Sequence, residues 1–224
     1  MDWTAILLTV RLAAWVCVIL LVVGMPIAYW LAFTRWRLAF VIESVVALPL
    51  VLPPTVLGLY VLIAIGADSP LGRLWQQMTG TPLAFTFEGL VVASVLYSLP
   101  FMVQPLAAAF GQVDPSLVEA SATLGASRWR TFRDVILPLS RAGLVTGTVL
   151  SFAHTVGEFG VVLMVGGNLP GVTRTVSIAI YDHVQALEYG AANRTALLLV
   201  AFSLAVLIGT YALQRRPWMP STIR

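Results

Sequence analysis

The sequence predicts an all-α protein that crosses a membrane about five times. Hydrophobic residues make up 59% of the chain, charged residues only 10%, and the mean hydropathy is +0.91. An ordinary soluble domain carries about 25% charged residues. A chain of 224 residues with this composition has too much apolar surface for water, whereas lipid accepts it. The second observation is a series of long apolar runs separated by short segments that carry arginine.

Five apolar segments are long enough to be membrane spans, because a helix needs about 20 residues to cross about 30 Å of hydrocarbon. We place them near residues 12–34, 44–66, 88–110, 142–165 and 194–214. The apolar run 3–10 could extend the first span, since only Arg11 interrupts it. The stretches between spans are too short to fold alone. Residues 1–224 are therefore expected to form one membrane domain.

The distribution of arginine predicts the orientation. All 13 basic residues are arginine, and cytoplasmic loops carry an excess of positive charge. One set of span ends carries Arg35, Arg37, Arg128, Arg130, Arg133, Arg141, Arg215, Arg216 and Arg224, and the other carries Arg11, Arg73, Arg174 and Arg194. We therefore expect the N-terminus outside and the C-terminus in the cytoplasm, as an odd number of spans also requires.

Prolines inside the predicted spans indicate bent or broken helices. They are Pro26, Pro49, Pro53, Pro54, Pro100 and Pro105. Each removes a backbone donor, which membrane helices tolerate where a neighbouring helix or water satisfies the freed carbonyl groups. Three prolines in the second span predict that it is not a straight helix. Broken helices are typical of transport pathways, although kinks that improve packing explain any single proline equally well.

The segment 112–141, between the third and fourth spans, has the start signals of a helix. Asp114 is a good N-cap, and proline at position 115 suits the first helical position. Ser116 and Glu119 have the spacing of a capping box. A helix is therefore expected directly after Asp114.

The same segment then predicts a turn and a second helix. Gly125 can leave the first helix in a left-handed conformation. A second short helix is expected over 127–135, with Pro138 at the mouth of the fourth span. This helix–glycine–helix unit is too polar on both faces to be buried in lipid. One alternative is an amphipathic loop that lies on lipid headgroups.

The residues of this unit resemble the EAA loop of bacterial ABC importer permeases. The family pattern is E-A-A-x3-G-x9-I-x-L-P, and it is matched here, in spacing throughout, by Glu119, Ala120, Ser121, Gly125, Leu137 and Pro138. Two positions depart from it, with Ser121 in place of alanine and Val135 in place of isoleucine. The resemblance implies the type I ABC importer fold. It also implies that this segment is the coupling helix that docks on a cytoplasmic ATPase.

The partners follow from that resemblance. The chain has no lysine and no G-x4-G-K-[ST] phosphate loop, so it cannot be the ATPase itself. We expect a homodimer of this chain, two copies of a cytoplasmic ABC ATPase that binds the ATP, and an extracytoplasmic oxyanion-binding protein. The expected location is a bacterial inner membrane. We expect no cofactor on this chain, no catalytic residue and no nucleic-acid partner.

The later part of the chain points to the cargo. Residues 157–160 read G-E-F-G, residues 166–171 read G-G-N-L-P-G, and residues 48–54 read L-P-L-V-L-P-P. With the order of the spans, these motifs resemble the molybdate importer permeases, a group that also handles tungstate and sulfate. The resemblance implies transport of an oxyanion, most specifically molybdate, by alternating access. Permeases for tungstate or for sulfate and thiosulfate are the alternatives.

Glu158 is the ionisable residue that we expect inside the membrane, in the outer half of the fourth span. Residues expected near the pore, as gate or helix-positioning groups, are His154, Gly157, Glu158 and Gly160. His154 precedes Glu158 by four residues, so a Glu–His or Glu–backbone contact is expected, with gating as the alternative. Two ligands are too few for a metal site. A carboxylate that lined the path directly would repel an anion.

At the outer face, Thr173, Arg174 and Thr175 are the candidate anion contacts, because they offer hydroxyl donors and positive charge. A structural arginine is an equally good interpretation. Two other classes of protein fit less well. A channel or ion-coupled carrier more often shows charged residues in mid-membrane or inverted repeats. A membrane enzyme would need a paired-carboxylate, H-E-x-x-H or nucleophile constellation, which the sequence lacks.

Overall fold

The computed structural model describes residues 2–214, which contain helices and no strand. The bounds are α1 Trp3–Phe33, α2 Ala39–Ala47, α3 Pro54–Ile65, α4 Pro70–Thr79, α5 Phe87–Gly111, α6 Pro115–Thr123, α7 Arg128–Thr131, α8 Leu137–Leu139, α9 Arg141–Gly157, α10 Gly160–Gly166, α11 Val176–Gln185 and α12 Tyr189–Gln214. A 3₁₀ turn spans Leu48–Leu50 and a π-helical turn spans Phe132–Ile136. The prediction of an all-α chain is confirmed. Arg215, Arg216 and Arg224, used to predict orientation, lie outside the described residues.

The number of membrane spans depends on how bent helices are counted. Three unbroken helices are long and apolar enough to cross a membrane, namely Trp3–Phe33, Phe87–Gly111 and Tyr189–Ala212. Two bent pairs also qualify, Ala39–Leu50 with Pro54–Ile65 and Arg128–Leu139 with Arg141–Gly157, with bends of 109° and 74°. Counting each pair as one span gives up to five, the predicted number, but the second pair includes Arg128–Leu139 of the segment 112–141 and ends at Gly157, short of the predicted 165.

The first span is longer than the predicted 12–34. Helix α1 begins at Trp3, after Asp2, whose side chain accepts a hydrogen bond from the N–H of Ala5. Arg11 lies inside this helix, with its guanidinium 4.5 Å from the centroid of the Phe87 ring. This cation–π contact gives the charged group of Arg11 a partner on α5. The helix therefore continues through the arginine.

The second and fourth spans are not single straight helices. In the second, the chain bends between the 3₁₀ turn and α3, where Pro53 and Pro54 follow one another, and Pro54 begins α3. In the fourth, the predicted run 142–165 is divided. Helix α9 ends at Gly157, Glu158 is extended with φ −69° and ψ 138°, and α10 begins at Gly160. By contrast, the prolines inside α1 and α5 leave those helices unbroken.

Helices α1, α5 and α9 pack together in the interior. Small residues recur at every fourth position of α9 and are buried; they are Gly143, Gly147, Ser151 and Thr155. A Cβ placed on Gly143 would lie 2.3 Å from the Cβ of Ala109. Close approach through small residues is typical of helix pairs in membranes. Helix α10 packs against α3 and α5, and α11 packs against α12.

Contacts at the two ends of α1 place the predicted sites far apart. Near its start, the Thr9 hydroxyl accepts a hydrogen bond from the N–H of Val176 at 2.9 Å. Near its end, the Tyr29 ring contacts the Phe132 ring, with centroids 5.3 Å apart. The 20 residues between Thr9 and Tyr29 span about 30 Å in a helix. The segment 112–141 and the segment that precedes α11 therefore lie at opposite ends of α1.

Candidate functional site

Helix α6 of the segment 112–141 begins at an aspartate cap. The Asp114 Oδ1 accepts a hydrogen bond from the N–H of Ser116 at 2.9 Å, and this bond lowers the pKa of the Asp114 carboxyl. Pro115 is the first residue of the helix, as predicted. The capping box expected between Ser116 and Glu119 was a wrong prediction, because the N-cap is Asp114 and Ser116 already lies inside α6.

Gly125 ends the first helix of the segment in a Schellman arrangement. Its φ is +76°, its N–H bonds to the carbonyl of Ala122 at 3.0 Å, and the N–H of Ala126 bonds to the carbonyl of Ser121 at 3.1 Å. These are the two hydrogen bonds that define the motif, with glycine in the left-handed position. The helix–glycine–helix geometry expected from the sequence is therefore present.

Ser121, which replaces an alanine of the family pattern, has a structural partner. Its Oγ lies 2.9 Å from the Oγ1 of Thr131, which is buried near the end of α7. The two hydroxyl groups tie α6 to α7 across the turn. Sequence reasoning did not identify Thr131, because nothing in the local pattern shows which residue of the second helix would face position 121.

The exposed surface of the segment 112–141 presents both apolar and charged groups. Glu119 and Ala120 are exposed. Leu124 is 88% exposed and Trp129 is 68% exposed, although both side chains are large and apolar. Large apolar side chains that are exposed beside charged ones suit a surface that binds another protein.

Aromatic residues join this segment to the membrane helices. The Phe132 ring contacts the rings of Tyr29 in α1, Phe110 in α5 and Trp129 in α7 at centroid distances of 5.3, 6.0 and 5.7 Å. Phe110 is fully buried. Leu137, half-buried, and Pro138, exposed, follow the π-helical turn and begin α8. Phe132 therefore connects the segment to both α1 and α5.

The breaks in the second and fourth spans meet. A Cβ on Gly160, which begins α10, would lie 2.7 Å from the Cβ of Pro54, which begins α3. A cavity of about 520 Å³ lies beside this contact. Its lining comes from the starts of α3 and α10, the end of α9, the break between them and one residue of α5: Pro54, Thr55, Tyr97, Ala153, His154, Gly157, Glu158, Phe159 and Gly160. The structure thus brings His154, Gly157, Glu158 and Gly160 together.

His154 and Glu158 do not pair with each other in the part of the chain that the structure describes. The His154 Nδ1 instead lies 3.0 Å from the Ser98 hydroxyl, and no ion pair joins it to the carboxylate. The reason is the helix break, which removes the i, i+4 relationship on which the expected contact depends. Glu158 is 5% exposed, and its carboxyl oxygens, which make no hydrogen bond of good geometry in the described residues, lie near the Ser94 hydroxyl and the N–H of Val162.

Arg174 belongs to an ion-pair network near the start of α1, at the end opposite the segment 112–141. Its Nη2 lies 3.1 Å from Asp182 and its Nη1 4.0 Å from Asp2, while its Nε donates to Asn168 at 2.7 Å. Asn168 donates in turn to both carboxylate oxygens of Asp182. This geometry fits the interpretation of Arg174 as a structural arginine. Sequence reasoning missed Asp2 and Asn168 as its partners.

The two threonines beside Arg174 are buried. The Thr173 hydroxyl donates to the carbonyl of Gly166 at 2.7 Å and accepts from the N–H of Leu169. Thr175 caps α11 by accepting from the N–H of Ile178. Neither hydroxyl is at the surface in this conformation, contrary to what an exposed anion contact would need. Within residues 2–214 no group of three or more His, Cys, Asp and Glu residues is placed to hold a metal ion.

Comparison with solved structures identifies the fold. The chain is similar to the MetNI methionine ABC transporter in an inward-facing form, with a TM-score of 0.72, 18% identity and coverage of 93% of this chain and 92% of that one. It is also similar to a bacterial ABC transporter that imports the acidic polysaccharide alginate, with a TM-score of 0.71, 17% identity and coverage of 96% and 79%. The fold is therefore that of type I ABC importer permeases, as predicted.

Comparison with characterised sequences identifies closer relatives. The chain is 55% identical to the molybdenum transport system permease protein ModB of Azotobacter vinelandii over 214 residues, which cover 96% of this chain and 95% of the relative. It is 36% identical to the protein of the same name in Escherichia coli strain K12 over 208 residues, with coverage of 92% and 90%. The sequence pattern described as "Binding-protein-dependent transport system inner membrane component" matches residues 24–218. The chain therefore belongs to the family of binding-protein-dependent transport system inner membrane components.

Proposed function

We propose that this chain is the permease subunit through which an ATP-driven importer moves molybdate across the bacterial inner membrane. The observation that carries the cargo is the 55% identity, over nearly the whole of both chains, to a permease named for molybdenum transport. The alternatives of tungstate and of sulfate or thiosulfate stay open to test, because these tetrahedral dianions share shape and charge.

The segment 112–141 is proposed as the coupling loop, with Glu119, Ala120, Ser121, Gly125, Leu137 and Pro138 as its pattern residues. Its exposed Leu124 and Trp129 support contact with a separate ATPase. Its arginines support a cytoplasmic location. The network around Arg174, at the opposite end of α1, then faces outside with the N-terminus, on the side where an oxyanion-binding protein would dock.

Two copies of the chain are proposed to form the pore, since about five spans are too few to enclose one. Two copies also present two coupling loops to two ATPase subunits. ATP binding on the ATPases would draw the loops together, and Phe132 would pass that movement to α1 and α5. The ATPases bind the ATP, so this chain needs no cofactor or catalytic residue of its own. The mechanism is therefore alternating access, driven by ATPase subunits that are separate from the permease.

The test is uptake by proteoliposomes that contain the permease with its ATPase and binding protein. We expect molybdate uptake that requires ATP, with stronger competition by tungstate than by sulfate. Sulfate uptake equal to molybdate uptake would overturn the cargo assignment. Uptake that proceeds without ATP would instead identify a channel or secondary carrier.

A further inference from the structure

The cavity between the two helix breaks carries one acidic group and no arginine. Its titratable lining residues, among those described, are Tyr97 from α5, His154 from α9 and Glu158 from the break. Helix α3 contributes Pro54 and Thr55, which do not titrate. A dianion that passed this cavity would meet the Glu158 carboxyl in surroundings of low dielectric, where like charges repel strongly. The group on this lining that can acquire a positive charge is His154.

Among the described residues, the contacts of neighbouring helices bring no further charged side chain to the end of α9. Helix α11 faces this end with Ser177, whose hydroxyl donates to the carbonyl of Val156 at 3.4 Å, and with Tyr181, whose ring lies 5.0 Å from that of Phe159. Helix α1 faces α9 with Cys17, whose Sγ lies 3.6 Å from the carbonyl of Thr148. Helix α12 faces it with Phe202, whose ring lies 6.2 Å from that of Phe152. A positive charge on His154 would therefore interact mainly with groups or ions in the cavity.

The hydrogen bonds around His154 fit a neutral ring with its proton on Nδ1. With the Thr155 hydroxyl donating to the carbonyl of Ser151 at 2.8 Å, the Thr155 oxygen is free to accept from the Ser98 hydroxyl, 3.0 Å away. Ser98 then has no second hydrogen to give, and it accepts from His154 Nδ1 at 3.0 Å. On this basis we assign the proton of the neutral ring to Nδ1, which leaves Nε2 as an unprotonated acceptor.

The surroundings of the ring leave Nε2 available. Phe101 stacks on the imidazole ring at a centroid distance of 4.0 Å, and the Tyr97 ring lies tilted against it at 4.7 Å. Nδ1 is turned to Ser98, and residues 2–214 provide no hydrogen-bond partner for Nε2. The two aromatic rings hold the imidazole in place, and such rings also favour a cation over their faces. Since His154 lines the cavity, Nε2 is the nitrogen left for a ligand there.

We propose that His154 is an anion-contact residue on the transport path, a proposal that rests on the proposed function. A tetrahedral oxyanion dianion in the cavity binds the imidazolium form, with Nε2–H donating to one of its oxygen atoms. The proton comes from water at the cavity mouth and returns to water when the ion leaves. No covalent bond forms or breaks. Ser98 and Thr155 act as positioning residues, because their hydrogen bonds keep Nδ1 protonated and direct Nε2 away from them.

The first experiment measures molybdate uptake at subsaturating concentration in proteoliposomes that hold the complete complex. Where the ring is mostly neutral, between about pH 6 and pH 8.5, uptake should rise by up to about tenfold for each unit that the pH falls. His154→Arg should retain uptake but lose this dependence, since its charge does not titrate in that range. His154→Gln should lose most uptake at every pH.

Two results would overturn the inference. One is a His154→Gln complex that keeps the uptake and pH profile of the wild type. The other is a His154→Arg complex that assembles with its ATPase yet is as inactive as His154→Gln, because a merely structural histidine predicts that result. Failure of the wild type to take up molybdate at any pH would instead overturn the proposed function.

A second measurement needs no transport. The chain has two histidines, His154 and His183, so His183→Gln leaves one. Diethyl pyrocarbonate acylates neutral imidazole, and mass spectrometry of the complex can follow the reaction at His154. We expect modification that molybdate suppresses and that chloride at equal ionic strength does not. Modification unaffected by molybdate, tungstate and sulfate alike would contradict an anion site at this residue.

Discussion

The Tyr29 ring meets the Phe132 ring edge-on, with centroids 5.3 Å apart and planes at 86°. Tyr29 belongs to the last two turns of α1, and Phe132 begins the π-helical turn after α7. The contact joins the longest membrane helix to the proposed coupling loop. π-Helical turns interrupt regular helices and are frequent at functional sites. Force applied to the loop would therefore reach α1 directly, and it would reach α5 through Phe110.

Phe132→Ala should uncouple ATP hydrolysis from transport. The truncation removes three ring contacts from a half-buried site, which should cost about 2 kcal/mol of stability. We expect molybdate uptake to fall about tenfold, within the range of ordinary coupling energies, while the complex still hydrolyses ATP. Phe132→Leu is the matched control, because it keeps apolar volume at the same position. Equal uptake by Phe132→Ala and wild type would remove Phe132 from the force path.

Gly125 should tolerate asparagine but not valine or proline. No atom lies within 4 Å of a Cβ built at this position, so any effect comes from the positive φ of +76°. A β-branched residue in this conformation costs about 1–2 kcal/mol, whereas asparagine adopts it more readily. Proline is excluded by its fixed negative φ, and it would remove the N–H that bonds to Ala122.

The measurement is the ratio of molybdate transported to ATP hydrolysed. This ratio should fall in the order wild type, Gly125→Asn, Gly125→Val and Gly125→Pro. Binding of the permease to its ATPase, followed by co-purification, reports whether docking or force transfer is lost. A Gly125→Pro complex with the wild-type ratio would show that the turn is dispensable.

The ends of α6 could be predicted from the sequence because the signals are local. Asp114, Pro115 and Gly125 act within a few residues of themselves, through a cap, a fixed φ and a left-handed turn. Hydropathy over about 20 residues likewise predicted the number of spans, up to five, because lipid imposes the same length requirement on each of them.

The break at Glu158 could not be predicted in the same way. It accompanies the contact of Gly160 with Pro54, more than 100 residues away in the chain, and the apolar run 142–165 reads as one continuous helix without it. One acidic partner of Arg174 is also distant, since Asp2 lies at the other end of the sequence. For the same reason Ser98 was not recognised as the partner of His154.

The cap of α6 should weaken in acid. The pKa of Asp114 is lowered by the hydrogen bond from the Ser116 N–H, so the folded segment favours the carboxylate. That stabilisation is present above the unfolded pKa of about 3.9 and is lost as the pH falls through the lower, folded pKa. Amide exchange of Ser116, followed by mass spectrometry and compared with the intrinsic exchange rate at each pH, should therefore be protected near neutral pH and lose this protection in strong acid. Asp114→Ala should lack the protection at every pH, and Asp114→Asn should keep it in acid.

Gly143 should not accept even a methyl group. Its Cβ would lie 2.3 Å from the Cβ of Ala109 and 2.8 Å from the carbonyl oxygen of Pro105, so α9 would have to move away from α5. Overpacking of this kind costs about 1–3 kcal/mol.

Gly209→Ala in α12 is the matched control, because a Cβ there meets nothing within 4 Å and alanine favours a helix over glycine by about 1 kcal/mol. Thermal unfolding in detergent should show a lower transition for Gly143→Ala and an unchanged or higher one for Gly209→Ala. Equal transitions for the two variants would mean that α5 and α9 are not in close contact at Gly143, and the buried stripe of small residues would then need another explanation.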